Sequence, residues 1–239
     1  MDGDLMTTPT WQIESLRKTF FFPPGEALHE LGLWRAITGA DPADQTTKPL
    51  LRTSTETGEW NDYTLTVSTQ PGRVDLILTP PATATDLPNL GTYHERVTEF
   101  NALNLPEGLP RVIRLAFGAV ALAPCNSHAE CYTSLGQIIK HVEISPDSRE
   151  FLYRINNPST STACNGFNLN CISTWGAIKV VLVRMADLTT TEEIKYAIRA
   201  ELDLSTDAES DLPIDANISE LVTELTSIGQ SILNEGPAP

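Results

Sequence analysis

Ile194-Lys195-Tyr196-Ala197-Ile198-Arg199-Ala200-Glu201-Leu202-Asp203-Leu204 is the stretch on which the fold turns. Its Ala, Glu, Lys and Leu content favours a helix. Its pattern does not. Ile194, Tyr196, Ile198, Ala200, Leu202 and Leu204 alternate with Lys195, Ala197, Arg199, Glu201 and Asp203 over eleven residues. A period of two puts one set on each face of a strand, whereas a helix needs a period near 3.6. The pattern predicts a half-buried strand, the kind found in antiparallel sheets.

Working outward, the same period recurs at Tyr63, Leu65 and Val67, then at Val74, Leu76 and Leu78. Pro71-Gly72 separates the two runs and predicts a hairpin. Further strands are expected at Trp11–Phe22, Pro110–Pro124, Glu150–Asn156, Phe167–Thr174 and Ala177–Arg184, with loops at Asn157–Asn165 and Trp175-Gly176. Asp41–Gly58, polar and Thr-rich, and Pro80–Gly91 read as loops. Helical spacing of apolar residues appears in Gly25–Ile37, Gly91–Asn104 and Ala129–Val142, the last with Ser127 as its N-cap. The clearest helical stripe is Ile218, Leu221, Val222, Leu225, Ile228, Ile232 and Leu233, stopped by Gly236-Pro237.

The resulting order is β-α-β-β-α, then β-α-β-β-β-β-α. It predicts an α+β fold of two similar units, each an antiparallel sheet with helices on one face. The units are expected at 1–108 and 109–239, or as one compact domain.

The 239 residues carry 16 Lys+Arg against 31 Asp+Glu, a formal charge of −15. This counts against binding to nucleic-acid backbones and to anionic membranes. The start, Met1-Asp2-Gly3-Asp4, has no basic and apolar signal pattern. The longest apolar runs, Leu115–Ala123 and Ile178–Met185, are too short to span a bilayer. A cytoplasmic protein is expected.

No motif for phosphate cradling, zinc hydrolysis or a nucleophile elbow occurs, so no catalytic residue and no cofactor is assigned. His29, His94, His128 and His141 are scattered. Tyr93-His94-Glu95-Arg96 would point to different faces of a helix. Arg111, Arg114 and Arg154 read as strand-edge charges. The four cysteines, Cys125, Cys131, Cys164 and Cys171, offer with His128 one alternative, a metal or enzyme site. Their spacing does not match the short knuckles of common zinc frameworks, and packed free thiols are the simpler reading. From Glu201 to Pro239 there are nine acids and no Lys or Arg, with Asp207–Asp215 an acidic turn. The last helix therefore joins an apolar stripe to an acidic face, which reads first as a docked terminal helix with a solubilising outer face and alternatively as a surface for a basic protein partner. Mimicry of nucleic acid by an acidic inhibitor is a further alternative.

Leu152-Tyr153-Arg154-Ile155-Asn156, Asn170–Trp175, Glu201–Thr206, Leu212-Pro213-Ile214-Asp215 and the helix ending at Glu235-Gly236 form one pattern. It resembles the C-terminal part of a sporadically distributed group of uncharacterised bacterial proteins. The resemblance covers about a third of the chain and implies a strand at Ile194–Leu204. It implies no activity; patchy distribution suits accessory systems such as antiphage defence. The expected function is a non-enzymatic protein–protein interaction subunit or adaptor.

Overall fold

The structure, a computed structural model, describes residues 9–25, 27–81, 86–186 and 189–238, with side chains undescribed at 184–190. The N-terminal stretch 1–8 and part of the Pro80–Gly91 loop lie outside the described residues.

The chain is α+β, built on one antiparallel sheet of ten strands. The strands are β1 (Gln12–Phe21), β2 (Asp44–Lys48), β3 (Thr53–Trp60), β4 (Tyr63–Gln70), β5 (Arg73–Thr79), β6 (Arg114–Cys125), β7 (Leu152–Asn156), β8 (Ser159–Thr160), β9 (Asn168–Ala186) and β10 (Thr189–Thr206). The helices are α1 (Leu33–Thr38), α2 (Tyr93–Asn101), α3 (His128–Ile138) and α4 (Ile218–Glu235). Sheet order is β2-β3-β4-β5-β1-β6-β10-β9-β7, with β8 beside β9. Through the β1–β6 pair one sheet runs across residue 108, from Gln12 opposite Leu122 to Phe21 opposite Arg114.

The registers sort the residues by face. Leu16, Lys18 and Phe20 of β1 lie beside Leu78, Leu76 and Val74 of β5, then beside Leu65, Val67 and Thr69 of β4. This face carries the helices. Gly229 of α4 lies over Leu202 and Leu204, Trp34 of α1 over Gly58, and Lys18 reaches Phe100 of α2. The opposite face is polar apart from a small buried apolar cluster, Leu87, Leu122 and Ala197. There Thr19 donates to Asp75 at 2.6 Å, Arg73 grips Asp75 at 2.7 and 2.8 Å, and Arg17 faces Asp203 at 3.7 Å.

The strand at Ile194–Leu204 and the hairpin at Tyr63–Leu78 are as expected. Three expectations fail. Asp41–Gly58 is not a loop: β2 and β3 fill most of it, because Ser54, Glu56 and Gly58 supply the inward positions in place of apolar residues. Buried Glu56 is held by the Trp34 amide at 2.9 Å, so it caps a helix whose own N-cap, Gly32, has no side chain. Gly58 leaves room for the Trp34 ring, which a Cβ there would meet at 2.8 Å. Trp175-Gly176 is not a turn; β9 runs straight through it for 19 residues. Gly25–Ile37 is not one helix. Gly32 at φ +56 divides a single turn at Leu28–Glu30 from α1.

Ser127 caps α3, accepting from the Glu130 amide at 3.2 Å, and Gly236 ends α4 at φ +83. Glu224, on the face of α4 expected to recruit a partner, is turned to structure. It accepts from Ser161 Oγ at 2.5 Å, Thr162 N at 2.6 Å and Thr162 Oγ1 at 2.7 Å. Burial raises its carboxyl, but these bonds outweigh burial and hold it below the usual range.

Candidate functional site

The cysteines do not converge. Cys125 lies beside Tyr196 and Cys171 beside Leu204, so 204 − 196, or eight residues of β10, separate them. At the usual rise that is about 26 Å. Cys125 ends β6, and its thiol donates to the Ala123 carbonyl at 3.5 Å. The interaction between the Cys125 and Cys131 thiols lowers the Cys125 pKa and raises that of Cys131, with burial adding to the rise. Cys164 sits in the loop tied to Glu224, and all four thiols are free. Among the described residues no three His, Cys, Asp or Glu form a group able to hold a metal. His128 packs on the rings of Tyr132 and Tyr196, with centroids at 4.7 and 6.2 Å. His141 shares a 2.7 Å hydrogen bond with Tyr153. On α2, Tyr93 turns inward to α4 while Arg96 bonds Tyr63 at 2.5 Å and Glu99 at 2.7 Å.

Two other features stand out. The first is an arm. β10 pairs with β6 only from Tyr196 onward, and β7 meets β9 only up to Gly176. Among the described residues, Val180–Ala186 and Thr189–Lys195 form strand pairs only with each other, while on the other face Val180 packs near Leu87 and Lys195 reaches Asp86 at 3.8 Å. The ribbon runs about 20 Å past the sheet. Ile194 lies opposite Val181, and Val183 is two residues further along. These three continue the face of Trp175, Ala200 and Leu202, the helix-covered face, but no described helix reaches them. They are 48%, 46% and 58% exposed. A two-stranded ribbon is marginal alone.

The second is a pocket of about 320 Å³ between β1, the chain following α2 and the first turn of α4. Lys18 stands on its wall, in an inward row otherwise made of Leu16, Phe20 and Phe22. Only 1% of Lys18 is exposed. Its Nζ donates to the carbonyls of Phe100 at 2.7 Å and Leu103 at 2.6 Å, at the negative end of α2, and lies 4.9 Å from the Phe100 ring centre. Asn101 also lines the pocket. Its Nδ2 reaches Thr226 Oγ1 at 3.3 Å, while its buried Oδ1 has no partner. The sequence held one signal of this site, a lysine at an inward position of a period-two strand.

Burial pushes the Lys18 pKa down from 10.5 to about 7. The unfolded chain then binds more protons between those two values, so stability rises with pH across that window. Lys18→Met is expected to remove this rise. In the middle of the window the folding constants of wild type and variant should diverge by about tenfold per pH unit. Urea titrations at a series of pH values check it; parallel curves would refute it.

Comparison with protein-family models, with curated proteins and with solved structures finds no match, so the reading of function rests on the chain's own residues.

Proposed function

We propose that the chain is a non-enzymatic interaction subunit or adaptor that grips another protein with the β9–β10 arm. The observation that supports this is the row Val181, Val183 and Ile194, a core face continued beyond its helix cover. The occupant we infer is an apolar, basic-rimmed segment of a partner protein. Glu192 lies on the same face as Ile194, and the chain as a whole carries a charge of −15.

The architecture we propose behind this is two like units. In its favour, β5 returns to pair with β1 and β10 returns to pair with β6, each after a helix and a run of antiparallel strands. A closing helix follows each, α2 and α4, and Tyr93 Oη donates to the Thr226 carbonyl between them at 2.9 Å.

The test uses Val181→Asp with Ile194→Asp. Both sites are exposed, so stability should change by no more than about 0.5 kcal/mol each. Affinity purification at native expression, followed by titration of the purified partner, should give a complex of fixed stoichiometry. The double variant should weaken it at least tenfold, a loss of about 1.4 kcal/mol. A partner that binds both forms equally, or a chain recovered alone, would overturn the reading.

A further inference from the structure

The pocket beside Lys18 has the equipment to take a small organic acid. A lysine ammonium carries three donors, and the Phe100 and Leu103 carbonyls take two. Among the described residues no carboxylate pairs with it. Leu76 and Phe117 flank it on β5 and β6, and Phe100 and Val222 face it from α2 and α4. None of these titrates. The pocket's acid, Glu107, is exposed at the rim. A buried cation without a counter-charge is costly, and an anion entering the pocket would relieve that cost. The first turn of α4, the positive end of an 18-residue helix, opens on the same space. Asn101 Oδ1 adds a buried acceptor that lacks a donor. The walls between these polar atoms are apolar side chains such as Phe20, Leu105 and Val112.

We propose that this pocket binds a small hydroxy acid with an apolar body. Its carboxylate accepts from Lys18 Nζ, its hydroxyl donates to Asn101 Oδ1, and its hydrocarbon part lies against Phe20 and Leu105. The volume of about 320 Å³ is at the small end of the range for ligand pockets. The proposal is independent of the arm, since the two surfaces share no residue.

The probes are phenyllactate, hydrocinnamate, which lacks the hydroxyl, and phenylpropanol, which lacks both the acid and the 2-hydroxyl. Each is titrated calorimetrically into the full chain at about pH 6 and about pH 9, on either side of the Lys18 pKa. Phenyllactate should saturate at a Kd on the order of 1 mM or below. Hydrocinnamate should bind several-fold more weakly and phenylpropanol at least about tenfold more weakly. The phenyllactate affinity should drop about tenfold or more at the higher pH, as Lys18 loses its proton.

Lys18→Met should abolish binding. Leu105→Trp should abolish it too, by filling the pocket while leaving the Lys18 bonds intact, so that a folding defect in the first variant does not decide the matter. Circular dichroism verifies the fold of both. Failure of phenyllactate to saturate, equal affinity for phenylpropanol, or binding that survives Leu105→Trp would overturn the proposal.

Discussion

Trp175→Ala is expected to cost about 3–5 kcal/mol of folding free energy, the range for truncating a buried Trp. The ring is fully buried. It meets Trp11 edge-on at 5.8 Å between centroids, and its Nε1 donates to Ser173 Oγ at 2.9 Å. Its neighbours across the two ladders are Ala200, too small to swing into the space left behind, and Tyr153, whose hydroxyl is bonded to His141. The loss therefore combines apolar transfer, an unfilled cavity and a stranded Ser173 hydroxyl. Trp11 is affected in turn, because its own indole is fixed by a 2.9 Å bond to the Leu233 carbonyl. Urea denaturation should show a lower midpoint with an unchanged slope. Trp175→Phe, which keeps most of the volume, should lose markedly less. Had Trp175 stood in an exposed loop, as its Gly176 neighbour suggests, the change would stay within about 0.5 kcal/mol.

Gly229→Ala is expected to destabilise the protein by about 2 kcal/mol, the middle of the range for overpacking a close core contact. Helix propensity predicts the opposite sign, a gain of up to about 1 kcal/mol for replacing a mid-helix glycine by alanine. The contact decides. A Cβ at position 229 would collide with the Tyr93 hydroxyl and lie 3.2 Å from Leu202 and 3.3 Å from Leu204. Tyr93 has little room to retreat, for it is 4% exposed and its hydroxyl is bonded to Thr226 O. Burial also raises its pKa, so it stays a neutral donor. Tyr93→Phe removes the oxygen in the way, and Gly229→Ala made in that background should be near neutral or stabilising. Thermal or urea denaturation of the four proteins in this double-mutant cycle measures the coupling. Additive losses would show that the contact between α2 and α4 is not what requires the glycine.

Strands were legible wherever apolar and polar residues alternated. Ile194–Leu204 is the clearest case, since its period beat its composition. The same rule missed β3, whose inward row is Ser54, Glu56 and Gly58. Those residues suit the interior because the Thr47 hydroxyl, the Trp34 amide and the Trp34 ring supply their partners, and those partners come from other elements. At Trp175-Gly176 local turn chemistry was overruled by pairing on both sides, with β10 and with β7.

The candidate surfaces were harder to see. Lys18 is conspicuous as a charge in an apolar row, yet the carbonyls that hold it lie more than 80 residues away. The arm is invisible in sequence because an exposed Val181 and a buried Trp175 obey the same alternation. What differs is where α3 stops covering the sheet.

Strand β1 stands at the centre of the sheet although every other strand is made after it. Its neighbour β5 is made within some sixty residues, but its other neighbour, β6, begins at Arg114, and the carbonyl that fixes Trp11 belongs to Leu233. During synthesis one edge of β1 therefore stays open, with an apolar inward face, until β6 has been made. Such an edge is a template for mispairing with a neighbouring nascent chain. The pairing of β1 with β6 joins residues from 114 − 21 = 93 to 122 − 12 = 110 apart, and pairing of such long range makes slow folding a consequence of the strand order.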